Sequence, residues 1–112
     1  MRAETLKGHL DGMLLASLEA GPRHGYAIME ALRASSGGQF DLPTGTIYPA
    51  LRRLERAGLV QGTWSEAGGR RRRVYQLTAA GRRTLATERG AWRDFSAAVT
   101  ALLEPAPRPV TP

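Results

Sequence analysis

Apolar residues recur along this chain in two distinct periods. Leu6, Leu10, Met13, Leu14 and Leu18 fall at helical spacing up to Ala20, after a loose start over residues 1–5, and Gly21-Pro22 ends the run. Gly8 and Gly12 each weaken that helix by roughly 1 kcal/mol against alanine, a cost that close packing on another helix would explain. A second helix runs from His24 or Gly25 to Ser35, with Tyr26, Ile28, Met29 and Leu32 as its apolar set, and closes on Ser36-Gly37-Gly38. The loop that follows carries Phe40 and Leu42 as anchors to the core. The third helix, over 44–57, ends at Gly58. Ile47, Leu51 and Leu54 stack on one of its faces with Ala50 and Leu59, while Gly45, Thr46, Pro49, Arg52, Arg53 and Arg56 turn the other way. Thr44 and Thr46 both fit its N-cap, and Pro49 favours Thr46, because the missing N–H then falls among first-turn donors that lack a helical acceptor.

After Gly58 the period changes to two. Residues 59–66, with Val60, Thr63 and Trp64, read as a strand; Ala67-Gly68-Gly69 as a turn; and 72–77, with Val74, Tyr75 and Leu77, as the returning strand. Arginines 70 to 73 then lie at and beside the tip of a two-stranded hairpin, pointing alternately to its two faces. Thr78 is a good N-cap for a last helix over 79–103, broken by Pro105. Leu85, Trp92, Phe95, Val99, Leu102 and Leu103 include steps of seven (85, 92, 99 and 95, 102), which match a heptad seam. Such a helix would be about 37 Å long and would overhang a domain this small. Its apolar stripe needs a partner, and a second copy of the chain is the natural one. The expected fold is mainly α with a small β-hairpin, a winged helix-turn-helix: residues 1–78 form the DNA-binding domain, 79–104 a dimerisation helix and 105–112 a proline-rich, extended tail.

Charge sharpens this picture. The 112 residues carry a formal charge of +6. From Thr44 to Arg83 nine arginines face two acids, Glu55 and Glu66, while the remainder holds seven basic and eight acidic residues. The excess is therefore concentrated in one stretch, as a polyanion-binding surface requires. Hydroxyls at the start of the third helix and guanidinium groups further along it suit a major groove. The absence of cysteine excludes a disulfide framework, a thiol nucleophile and a thiolate metal site. His9 and His24 stand apart from any second ligand at metal-site spacing and read as structural. There is no phosphate-binding glycine loop and no serine with a base and orienter, so neither an enzyme nor a cofactor is expected. The apolar run at 13–16 is too short for a membrane span, and the expected location is cytoplasmic.

Gly45-Thr46-Ile47-Tyr48-Pro49, Leu51, Leu54-Glu55 and Gly58-Leu59-Val60, with His24-Gly25-Tyr26 upstream and Tyr75-Gln76-Leu77-Thr78 leading to Gly81 downstream, resemble the PadR family of transcriptional regulators. The resemblance covers residues 6–103 and is to the compact branch, whose C-terminal helix is short. It implies a dimeric repressor that binds a two-fold symmetric DNA operator, with the third helix in the major groove and the wing on backbone or minor groove. Carried over by motif, Thr46, Tyr48 and Pro49 fall at the groove-facing start of that helix, and Thr44, just before the motif, is a further DNA-binding candidate. Arg52 and Arg53 lie further along its exposed side, and Arg70, Arg71 and Arg72 on the wing. Tyr48 is a candidate phosphate contact, with half-buried packing as its other role; Arg56 could instead offset the helix dipole. Leu85, Trp92, Phe95, Val99, Leu102 and Leu103 fall to dimerisation. Some compact members bind planar aromatic compounds between subunits through a tryptophan of the last helix, which makes Trp92, with Phe95, a candidate for a small aromatic effector as well as for dimer packing. Two alternatives stay open: a winged-helix protein that binds RNA or packages nucleic acid without specificity, and a protein-interaction module using the long helix.

Overall fold

The computed structural model describes residues 8–107. Its elements are α1 (Leu10–Ser17), β1 (Arg23–His24), α2 (Gly25–Ser35), α3 (Thr44–Arg56), β2 (Val60–Ala67), β3 (Arg70–Leu77) and α4 (Ala79–Leu103). The expected roles of Leu6, of the loose start and of the last residues of the tail lie outside the described residues. Four helices and a small antiparallel sheet enclose one core, in which Leu14, Leu15, Leu18, Ile28, Ile47, Leu51, Leu54 and Val60 are the largest fully buried side chains.

α1 is shorter than its apolar period. Gly8 lies before it at φ +89°, with open space around it, so only Gly12 fits the close-packing expectation: a Cβ there would stand 3.4 Å from Glu88 Cβ of α4. Leu15, absent from the expected apolar set, is fully buried. α2 begins where His24 Nδ1 accepts from Ala27 N at 3.2 Å. Tyr26, assigned to its apolar set, is instead 66% exposed, because the buried face of α2 is carried by Gly25, Ile28 and Leu32.

Neither Thr44 nor Thr46 caps α3. Pro43 is its N-cap and acts through the backbone alone, its carbonyl accepting from Thr46 N at 3.0 Å and Ile47 N at 3.1 Å. Pro49 therefore sits inside the helix, where it has no N–H to offer Gly45. The far end is a Schellman arrangement: Leu59 N donates to Leu54 O and Gly58 N to Glu55 O, both at 3.0 Å, with Gly58 at φ +76°.

The sheet has three strands, in the order β1-β3-β2, where a two-stranded hairpin was expected. β1 contributes two residues, Arg23 opposite Tyr75 and His24 opposite Val74. β2 and β3 pair from Val60↔Leu77 to Ala67↔Arg70, so the turn is only Gly68-Gly69 and residues 70–73 lie within the strand rather than at a loose tip. Both turn glycines have positive φ, as a two-residue hairpin turn of this hand needs. Thr78 caps α4 as expected: its Oγ1 accepts from Gly81 N at 3.0 Å and donates to Gly58 O at 2.6 Å, tying the start of α4 to the end of α3. Gly81 packs against the Leu59 carbonyl, with no room there for a Cβ. α4 has the expected length, but its stripe is divided. Leu85 is 4% exposed in the protomer's own core, whereas Leu102 and Leu103 are 82% and 77% exposed.

Candidate nucleic-acid interface

The outer side of α3 and the wing form one surface. On α3, Thr44, Gly45, Pro49, Arg52, Arg53 and Arg56 are exposed, and Thr46 and Tyr48 are half-buried. Pairing of Trp64 with Arg73 and of Glu66 with Arg71 puts these four on one face of the hairpin; Arg70 and Arg72 take the other. The expected alternation of the arginine run therefore holds. Arg71 and Arg73 lie 4.5 and 5.4 Å from the centroid of the Trp64 ring, so this tryptophan is a stacking platform, still 56% exposed, rather than a cover for the sheet.

The arginines are not equally available. Arg53 pairs with Asp11 of α1. Arg73 donates to Glu55 of α3 at 2.5 Å, and Arg72 Nη1 lies 3.0 Å from His24 Nε2. Arg52, Arg56 and Arg70 make no ion pair or hydrogen bond among the described residues. An exposed pair such as Arg53–Asp11 is worth about 1 kcal/mol or less, little enough for a phosphate to displace the carboxylate.

Tyr48 is held by a feature that joins two of the motifs. Its ring lies directly over the Cα of Gly25, where a Cβ would stand 2.6 Å from Cζ and 2.7 Å from Cε1. His24-Gly25-Tyr26 and Gly45-Thr46-Ile47-Tyr48-Pro49 thus meet in space. Burial, and to a smaller extent neighbouring Tyr26, push the Tyr48 phenol above its ordinary pKa, so its hydroxyl stays a neutral hydrogen-bond donor beside the basic wing. Tyr48, His24, Tyr26, Trp64 and residues 70–73 line one cleft between the wing and the start of α2.

A second feature lies away from this surface. α1 and α4 bound a half-open, mainly apolar groove of about 840 Å³, lined by Gly12, Met13, Phe40, Leu85, Trp92, Phe95 and Val99 among others. Trp92 meets His9 edge-on at 5.3 Å and Phe95 at 6.1 Å, and both Trp92 and Phe95 are about half exposed. Among the described residues there is no metal-ligating cluster of three or more His, Asp or Glu, and no helix long and apolar enough to cross a membrane.

Sequence reasoning missed His24, Tyr26, Asp11 and Glu55 as members or neighbours of this basic surface. One signal pointed to Arg73's neighbourhood: Gly62, a glycine within a strand, marks a close approach.

Three helices closed by a basic antiparallel wing, with the third helix and wing on one surface, define a winged helix-turn-helix DNA-binding protein. The model of the transcriptional regulator PadR-like family matches residues 14–87, and the chain belongs to that family. It is 30% identical to a PadR family transcription regulator of hypervirulent Clostridium difficile, over 86% of this chain and 99% of that one, at a TM-score of 0.76. A PadR family regulator of Eggerthella lenta is 32% identical over 92% of this chain and 88% of its own, at 0.77. A transcriptional regulator of Mycobacterium tuberculosis is 44% identical over 52 residues, 46% of this chain and 49% of that protein. The family's members are DNA-binding transcriptional regulators, typically dimeric, and not enzymes.

Proposed function

We propose that the protein is a homodimeric repressor that recognises a two-fold symmetric operator, with residues 79–104 as its dimerisation helix. The observation that carries this reading is the division of α4: its first turns pack into the protomer core at Gly81 and Leu85, while Trp92, Phe95, Leu102 and Leu103 project an apolar stripe beyond it. A second copy covering that stripe sets two α3 helices on one face of the duplex, about 34 Å apart. Thr44, Thr46, Tyr48, Pro49, Arg52 and Arg53 then face the major groove, and Arg70, Arg71 and Arg72 the flanking backbone. With about four phosphates neutralised per protomer, log affinity falls against log salt with a slope near ~−7.

Fluorescence anisotropy with duplex DNA from upstream of the protein's own gene, beside a shuffled duplex, tests this at two salt concentrations. Tight binding to the upstream duplex alone, persisting at the higher salt, supports it. Equal binding that collapses together turns the reading to nonspecific or RNA-binding roles.

The Trp92–Phe95 groove favours a further step, release of DNA by a planar aromatic compound. Such a ligand acts only through its differential affinity for two arrangements of the dimer. Titration of a Trp64→Phe variant, which leaves Trp92 as the one tryptophan, should then show quenching and DNA release at the same ligand concentration; quenching without release would remove the effector role.

A further inference from the structure

The arginines of β3 look equivalent in sequence and are not equivalent in space. Arg70, Arg71 and Arg72 are exposed, whereas Arg73 is half-buried and engaged on three sides. Its Nη2 donates to Glu55 Oε2 at 2.5 Å, its guanidinium lies on Trp64, and its Nε crosses Gly62, where a Cβ would stand only 2.8 Å away. Gly62 has no positive φ and no turn to make, so the space it leaves is taken by this one side chain. Glu55 is the only carboxylate on α3. An acid beside a DNA-reading helix repels phosphate, and it is tolerable there when a cation holds it.

We infer that Arg73 is a positioning residue and not a DNA ligand: with Glu55 it forms a strut that fixes the angle of the wing to α3. The inference rests on the DNA-binding reading above. β1 supports β3 at only two positions, Val74 and Tyr75, and beyond them the hairpin is a two-stranded ribbon, which twists easily. Arg73 is the first residue past that support. Its pairing with Glu55 links the ribbon to α3 where β1 stops, so Arg70, Arg71 and Arg72 reach phosphate in register with the bases that α3 reads.

The rival role, a phosphate contact, predicts the opposite sign for one variant. Removing the Glu55 carboxylate would tighten binding to any DNA if Arg73 served phosphate, because a repulsion is lost and an arginine set free. If the pair is a strut, Glu55→Ala weakens operator binding as Arg73→Gln does.

The experiment measures wild type, E55A, R73Q and the double variant against operator and shuffled duplexes over a salt series, with amide hydrogen exchange of residues 63–72 on the same free proteins. Expected is a roughly tenfold loss of preference for operator in each single variant, no further loss in the double variant, a salt slope within error of wild type, and faster exchange in the outer hairpin. A slope flattened by ~1.8 per dimer in R73Q, or tighter binding of E55A to both duplexes, overturns the strut. Wild-type protein that does not distinguish the duplexes defeats the operator reading instead. The strut then stands or falls on exchange alone, and unchanged exchange in both single variants overturns it.

Discussion

Gly25→Ala isolates the contact between the two most distinctive motifs. Gly25 is the first residue of α2 and has no positive φ, so alanine meets no backbone obstacle there and, as the better helix former, would be neutral or slightly stabilising on intrinsic grounds. The steric effect has the opposite sign and is larger. The new methyl carbon would lie 2.6–2.7 Å from two ring carbons of Tyr48, where ordinary contact is 3.4–4 Å, so the ring must retreat by nearly 1 Å or leave its site. Overpacking of this kind costs about 1–3 kcal/mol, which for a domain of this size lowers Tm by about 5–20 °C. Thermal unfolding at one fixed protein concentration reads it, the concentration mattering because a dimer's Tm depends on it. The decisive comparison is the same substitution in a Tyr48→Ala background. There the obstructing ring is gone and most of the penalty should vanish, giving a coupling of about 1–2 kcal/mol between positions 25 and 48. An equal penalty in both backgrounds, or none in the wild type, would refute the contact as the reason for glycine.

The remaining predictions address other joints of the molecule. Thr78→Ala removes both the cap of α4 and its tie to Gly58 O, and should cost about 1–2 kcal/mol in denaturant unfolding; a loss below a few tenths would mean that water replaces both bonds. Val99→Asp places a charge in the proposed seam and should give monomers in sedimentation, so an unaltered dimer removes Val99 from it. Arg71→Ala should weaken all duplexes alike and flatten the salt slope by ~1.8 per dimer, and an unchanged slope places Arg71 off the DNA. Burial raises the phenol pKa of both Tyr48 and Tyr75 above the ordinary 10.0. The native state therefore holds these protons more tightly than the unfolded chain, and the associated stability, complete below pH 10.0, is lost as pH rises through the folded values. Urea midpoints from pH 9 to 11.5 should fall less steeply for Tyr48→Phe than for wild type; identical slopes would show that Tyr48 carries none of the effect.

Much of the fold was legible because its signals are local. Gly58 ends α3, Gly68-Gly69 turns the hairpin and Thr78 opens α4, each by chemistry confined to a few residues. Where the signal was not local, or used no side chain, the reading failed. Pro43 caps α3 with a carbonyl, so Thr44 and Thr46, one position either side of Gly45, drew attention without doing the capping. β1 is two residues long and exists only because Tyr75 and Val74, some fifty residues on, supply its partners. In the site, the residue types and their concentration pointed to DNA, but which arginines are engaged depends on Asp11, 42 residues from Arg53, and Glu55, 18 from Arg73. No periodicity along the chain encodes those pairings.

The last helix shows why one sequence pattern can answer to two partners. Its heptad steps run without interruption through positions 85, 92 and 99, which reads as a single seam. α1 has eight residues and spans about 12 Å, against about 37 Å for the 25 residues of α4. It can therefore cover only about a third of the length of α4. Contacts between the two fall around the middle of α4: Glu19 of the turn after α1 pairs with Arg89, Gly12 lies against Glu88, and His9, at the start of α1, reaches Trp92. Leu85 falls under the cover and joins the protomer core, while the residues from Trp92 onward fall beyond or at its edge. The length mismatch, rather than any change in the pattern, divides core from candidate interface.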